Sequence, residues 1–108
     1  ILYDFTAAWC PPCKRMATEV FANAADATFI NDHAVPVRVM DRKSEDGKNL
    51  PEVAPLQNQY AIDAFPILVV VYADGRKPAK LRGYGTAEGT RSELRAALGG
   101  SAVTPPSP

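Results

Sequence analysis

The chain has 108 residues, of which 46% are hydrophobic, with twelve acidic and twelve basic side chains, the make-up of one small globular domain with a single core. Zero formal net charge and scattered lysines and arginines give no footprint for nucleic acid, and the longest apolar run, 67–73, is far short of the ~20 residues that a membrane-spanning helix needs. Two cysteines and one histidine make three ligands at best, too few for a structural zinc site.

Ile1 to Thr6 reads as an apolar, aromatic β-strand interrupted by one charge, Asp4. The chain starts inside this strand without an initiator Met, which predicts a processed form or an excised piece of something longer. Thr6-Ala7-Ala8 leads to Trp9-Cys10-Pro11-Pro12-Cys13-Lys14. A helix is expected to start at Cys10, because Pro11 and Pro12 suit a first turn whose amides have no intrahelical partner. Cys13, Ala17, Val20 and Phe21 form one apolar face of that helix with Met16 beside it, leaving Lys14, Arg15 and Glu19 to solvent.

Asn23 is placed to cap a short helix over 24–31 carrying Ala27, Phe29 and Ile30, with His33 a surface residue at its end. Val35 to Asp41 follows as a strand in which Val35, Val37 and Val39 alternate with Arg38. The polar segment 42–49, with Gly47 in it, reads as a loop. Pro51 to Tyr60 suggests a helix with Leu56 and Tyr60 four residues apart. Ile67 to Tyr72 is a continuous β-branched run suited to the centre of a sheet. Asp74-Gly75 signals a hairpin turn, with Ala79 to Arg82 as the partner strand and Arg76, Lys77, Lys80 and Arg82 as exposed positions of an edge hairpin. The last helix ends near Leu98 and starts at either Thr86 or Thr90; Thr90 with Glu93 makes a capping box. Residues 1–98 form the folded domain, and 99–108, small and Pro-rich, read as a disordered tail.

The element order βααβαββα implies an α/β domain with a central mixed sheet and helices on both faces. In open α/β sheets, sites form at the carboxyl end of a strand where a helix begins, and Cys10 sits there. A Cys-x-x-Cys at that junction is a signature of dithiol redox chemistry. Residues i and i+3 of a helix have Cβ atoms roughly 5–6 Å apart, and a disulfide needs about 4 Å. The pair therefore opens and closes with little backbone movement. A structural staple is the plainer reading, but so short a loop constrains the unfolded chain by only about 2 kcal/mol. Two free core cysteines that happen to lie close, and a soft-metal carrier using both thiolates, also stay open.

The segment Asp4-Phe5-Thr6-Ala7-Ala8-Trp9-Cys10-Pro11-Pro12-Cys13-Lys14, with Ala64-Phe65-Pro66 before the central strand and Gly83 after the last one, resembles the thioredoxin superfamily. The match runs from Ile1 to about Leu98. The extra helix near 24–31, the long path from Cys13 to Pro66, and Glu19-Val20-Phe21 are most similar to the C-terminal thioredoxin-like domain of DsbD-type thiol:disulfide interchange proteins. Two features depart from the superfamily pattern. The leading βα unit of most members is missing, and Ile67 replaces the threonine that often follows the proline.

The resemblance implies a thioredoxin-like fold and a thiol-disulfide oxidoreductase, of reductase type, with no bound cofactor beyond the Cys10–Cys13 disulfide and no metal. It implies protein thiol or disulfide substrates, a redox partner protein, a monomeric soluble domain that belongs to a membrane-anchored parent, and a periplasmic or envelope-facing location if DsbD-like; the residues themselves leave the cytoplasm open. Cys10 is the expected nucleophile and Cys13, better buried, the resolving thiol. Asp4 is the expected acceptor of the Cys13 proton, its pKa raised by burial, against the plainer reading of a solvated strand-end acid. Trp9 is expected to shield the disulfide. The resemblance also implies a cis Phe65-Pro66 bond beside the cysteines, with the Phe65 backbone free to pair with an extended substrate. Trp9, Pro11, Pro12, Phe65 and Pro66 thus form the expected substrate-binding rim. A non-catalytic peptide-binding module on the same fold is the competing function.

One further expectation comes from the prolines. Pro11 and Pro12 supply no N–H, so a Cys10 thiolate must rely on the amides of Cys13 and Lys14. That predicts moderate activation, a pKa nearer the ~7 of thioredoxin than the ~3.5 of a strong oxidant, and a pair that leans towards reducing others.

Overall fold

A computed structural model describes residues 1–99 of the chain. Strand β1, Leu2–Ala7, is followed by helix α1, Pro11–Met16, which runs directly into a π-helical turn, Ala17–Phe21. Then come α2 (Ala24–His33), β2 (Pro36–Asp41), a short α3 (Lys43–Asp46), α4 (Val53–Gln59), β3 (Ile67–Val70), β4 (Ala79–Arg82) and α5 (Ala87–Leu94), which continues as a second π-helical turn, Arg95–Gly99. The four strands lie in the order β2-β1-β3-β4. β1 runs parallel to β2 and antiparallel to β3, and β3 runs antiparallel to β4.

Alternation along the strands divides the core between the two faces of the sheet. Leu2, Leu68, Val70 and Leu81 meet Met16, Val20, Ile30 and Leu94, so α1, α2 and α5 cover one face. Phe5, Val39, Ile67 and Val69 meet Val53 with Leu56 and Tyr60 on the other, under α4. All four residues of β3 are buried, as expected of an apolar strand between two neighbours and two helical layers. β4 is an edge strand with Lys80 and Arg82 exposed. Lys80 donates to the Ala61 carbonyl and Arg82 pairs with Asp63 at 2.7 Å.

Several local expectations are corrected. Residues 42–49 are not all loop: α3 forms there, because Asp41 accepts from the Lys43 amide and Asn49 accepts from the Arg42 amide. β3 stops at Val70, and residues 71–78 form a wide connection rather than a tight hairpin, with Gly75 at φ +83°. Val35 lies outside β2 and is exposed. Thr86, not Thr90, caps α5, accepting from the Gly89 amide, whereas Thr90 is buried. Gly99 belongs to the last helical turn; the rest of the expected tail, 100–108, lies outside the described residues.

Candidate active site

Cys10 has extended backbone angles (φ −86°, ψ 110°) and is the N-cap of α1, with Pro11 and Pro12 in the first two helical positions. Its Sγ accepts a hydrogen bond from the Cys13 amide at 3.2 Å. The Lys14 amide goes instead to the Cys10 carbonyl, so the sulfur receives one amide and not the expected two. Cys10 and Cys13 are joined in a disulfide with their Cα atoms 5.2 Å apart, inside the range that a disulfide bridges without strain on the backbone. This is a dithiol–disulfide couple, interconverted by two electrons and two protons.

The depth of the two sulfurs differs from expectation. Cys10 is as deeply buried as Cys13, at 1% and 4% exposure. Their immediate neighbours are Ala7 on β1 and the side chain of Phe65. Trp9 stands at the rim of the pair, 53% exposed, and meets Phe65 edge-on with ring centroids 6.2 Å apart. Phe65, fifty-five positions along the chain from Cys10, packs against the pair, and no local pattern around the motif announces it.

The Phe65-Pro66 peptide bond is cis, and the Pro66 carbonyl accepts from the Gly83 amide at 2.9 Å. Gly83 has φ +79°, a left-handed conformation in which glycine alone is unstrained. That bond joins the start of β3 to the end of β4 and leaves Phe65 outside the loop and turn backbone hydrogen bonds of the described residues. The sequence-predicted residues Trp9, Cys10, Cys13, Phe65 and Pro66 therefore converge. Pro11 is exposed and Pro12 half-buried at the rim.

Asp4 shares a face of β1 with Leu2 and Thr6, the face under α1. It is 8% exposed, its Oδ1 has no hydrogen-bond partner among the described residues, and it lines a cleft of about 270 Å³ together with Cys13, Lys14, Arg38 and Met40. Burial pushes its carboxyl up to about 6, opposed by the charge of Arg38 on the neighbouring strand. A buried carboxyl that titrates near neutrality beside a cysteine is equipped to take up a thiol proton.

A second cluster ties the helix to the far loop. Tyr84 donates to Glu19, Arg15 pairs with Glu19 at 3.6 Å, and the Arg15 guanidinium lies 5.4 Å from the Tyr84 ring centroid. The hydrogen bond from Tyr84 holds the Glu19 carboxyl below its usual range. Tyr84 thus has a polar partner sixty-five positions away in the chain, and its spacing from Glu19 carries no local signal.

The sequence model of the thioredoxin-like domain family matches residues 1–98. The protein disulfide-isomerase of Triticum aestivum is 30% identical over 99 residues, covering 92% of this chain and 18% of its own length, and that of Hordeum vulgare matches to the same extent. The chain thus spans less than a fifth of these curated relatives. Among solved structures, the oxidised C-terminal domain of Neisseria meningitidis DsbD has a TM-score of 0.68 at 22% identity, with 90% of this chain and 78% of that chain covered. A thioredoxin-fold protein from Helicobacter pylori has a TM-score of 0.72 at 20% identity, with 92% and 68% covered. These two likenesses show the fold.

Proposed function

Since the chain belongs to the thioredoxin-like domain family, we propose that it is a thiol-disulfide oxidoreductase domain that reduces disulfides of protein partners. The closed Cys10–Cys13 ring at the start of α1 carries this reading, and the match to protein disulfide-isomerases supports exchange with polypeptides. The direction rests on the prolines: one amide at Cys10 Sγ stabilises its thiolate weakly, and a weakly stabilised reduced form gives up its electrons readily.

The cycle starts from the dithiol. The Cys10 thiolate attacks one sulfur of a substrate disulfide, that S–S bond breaks, and the first substrate thiolate leaves and takes a proton. The Cys13 thiol passes its proton to the Asp4 carboxylate and attacks Cys10 Sγ. The mixed disulfide breaks, the second substrate thiolate leaves and is protonated, and Cys10–Cys13 is left oxidised. The substrate gains two electrons and the pair loses two. A protein dithiol of a redox partner restores the reduced form. Trp9, Pro11, Pro12, Phe65 and Pro66 form the rim that receives the substrate strand, with no bound cofactor and no metal.

The domain works as a monomer. Among the described residues no helix is long and apolar enough to cross a membrane, and the likeness to the DsbD domain supports an envelope-facing site of action for the larger protein that carries it.

Reduction of insulin disulfides by the pre-reduced chain, with Cys10→Ser as the control, tests the activity. Wild-type turnover abolished by the substitution is expected; a silent wild type sinks the reading in favour of a peptide-binding module. Equilibration of the Cys10–Cys13 pair against a thioredoxin couple tests the direction, and a potential as oxidising as that of DsbA overturns it.

A further inference from the structure

The nucleophile of an exchange enzyme must meet a sulfur from outside, yet Cys10 is 1% exposed. Phe65 packs against the cluster of Ala7, Cys10 and Cys13 while its own residue stays half-buried at the surface. The indole of Trp9 stands edge-on to the Phe65 ring at an interplanar angle of 80°, a favoured aromatic geometry. Phe65 also stands outside the loop and turn hydrogen bonds of the backbone, whereas its neighbour Pro66 is anchored through the Gly83 amide.

We propose that Phe65 is a steric gate over the Cys10–Cys13 disulfide, braced by Trp9, that admits an extended polypeptide and holds back small thiols. The proposal rests on the exchange activity inferred above and adds what selects the partner. A polypeptide strand that pairs with the Phe65 backbone has contacts with which to displace the ring. A small thiol has no such contacts, so it reacts only with the fraction of molecules in which the ring has swung away. Phe65 acts through access: it exchanges no electrons or protons, so it sets rates without setting the equilibrium between dithiol and disulfide.

The test is the rate of reduction of the oxidised full chain by dithiothreitol, followed by Trp9 fluorescence or by alkylation of released thiols, together with the equilibrium potential of each variant. Phe65→Ala is expected to be reduced about two- to tenfold faster than wild type, the range that one aromatic contact is worth, with no change in potential. Phe65→Tyr keeps a ring and is expected to hold the wild-type rate. An F65A rate equal to wild type overturns the gate, as does a faster rate matched by a shift in potential, since the driving force and not the access would then have changed. Should F65A fail to fold, Trp9→Ala removes the brace at an exposed position: faster reduction supports the gate and an unchanged rate overturns it. Failure of the functional reading looks different, as a wild-type disulfide that exchanges with no protein partner whatever the residue at 65.

Discussion

Asp4 is the residue at which stability and reactivity oppose each other. Its carboxyl rises from 3.8 to about 6 on folding, so the native state holds a proton that the unfolded chain releases. Stability from this group is fully present below pH ~4 and is lost as pH rises through about 6, at a cost of about 3 kcal/mol for a shift of this size. Asp4→Asn is therefore expected to raise the stability of the oxidised protein by about 1–3 kcal/mol above pH 6 and to change it little below pH 4, as urea melts at both pH values would show. In the proposed cycle Asp4 accepts the Cys13 proton, so the same variant should slow resolution of the mixed disulfide. Arg38 lines the Asp4 cleft from β2. Arg38→Met removes the charge that holds the carboxyl down, so the Asp4 titration, read by carboxyl carbon resonances in the oxidised protein, should move to higher pH. Lys14 and Cys13 face the same cleft, and in the oxidised protein Cys13 does not titrate.

At the scale of elements, two devices shape the helical layer that carries the site. Its start is set by residues that withhold amides: Pro11→Ala or Pro12→Ala returns one N–H to the first turn, and the reduction potential of the pair should move in the oxidising direction. The helices on its face of the sheet are fixed by Asp26, buried in α2, which accepts two 2.7 Å hydrogen bonds from Arg91 of α5. Those bonds hold the Asp26 carboxyl below its usual range. A depressed carboxylate contributes stability above the unfolded value of 3.8 and loses it as pH falls through the lower folded value. Asp26→Ala should cost about 1–3 kcal/mol near neutrality and less in strong acid, measured as a shift in the denaturation midpoint. The sequence showed Asn23 as the cap of α2, β3 as a central strand and the prolines as a helix start, because each of these depends on a few adjacent residues. It did not show the Asp26–Arg91 pair or the Glu19–Tyr84 contact, since each joins residues far apart in the chain, and it placed Phe65 beside the cysteines only through the family resemblance. The Thr90–Glu93 box misled for a related reason: its spacing suits a cap, but packing buries Thr90 inside the helix that Thr86 begins.

Across the whole molecule the two sheet edges are unlike. β4 carries exposed Lys80 and Arg82, each engaged with the segment 61–63. On β2, the Leu2 amide donates to the Val35 carbonyl, and alternation along a parallel ladder then points the amides of Val37 and Val39 at β1 and those of Arg38 and Met40 outward. Hydrogen exchange should find Arg38 and Met40 exchanging roughly a hundredfold faster than Val37 and Val39. Equal protection of all four would mean that something covers this edge in solution. The reactive ring itself spans one helical turn, with two residues between its ends, and neither sulfur is bonded to the sheet. The bond that opens on reduction therefore ties two positions of one helical turn and does not link that turn to the sheet. If partners dock on this domain as proposed, they must tell its charged from its spent state by the sulfur itself.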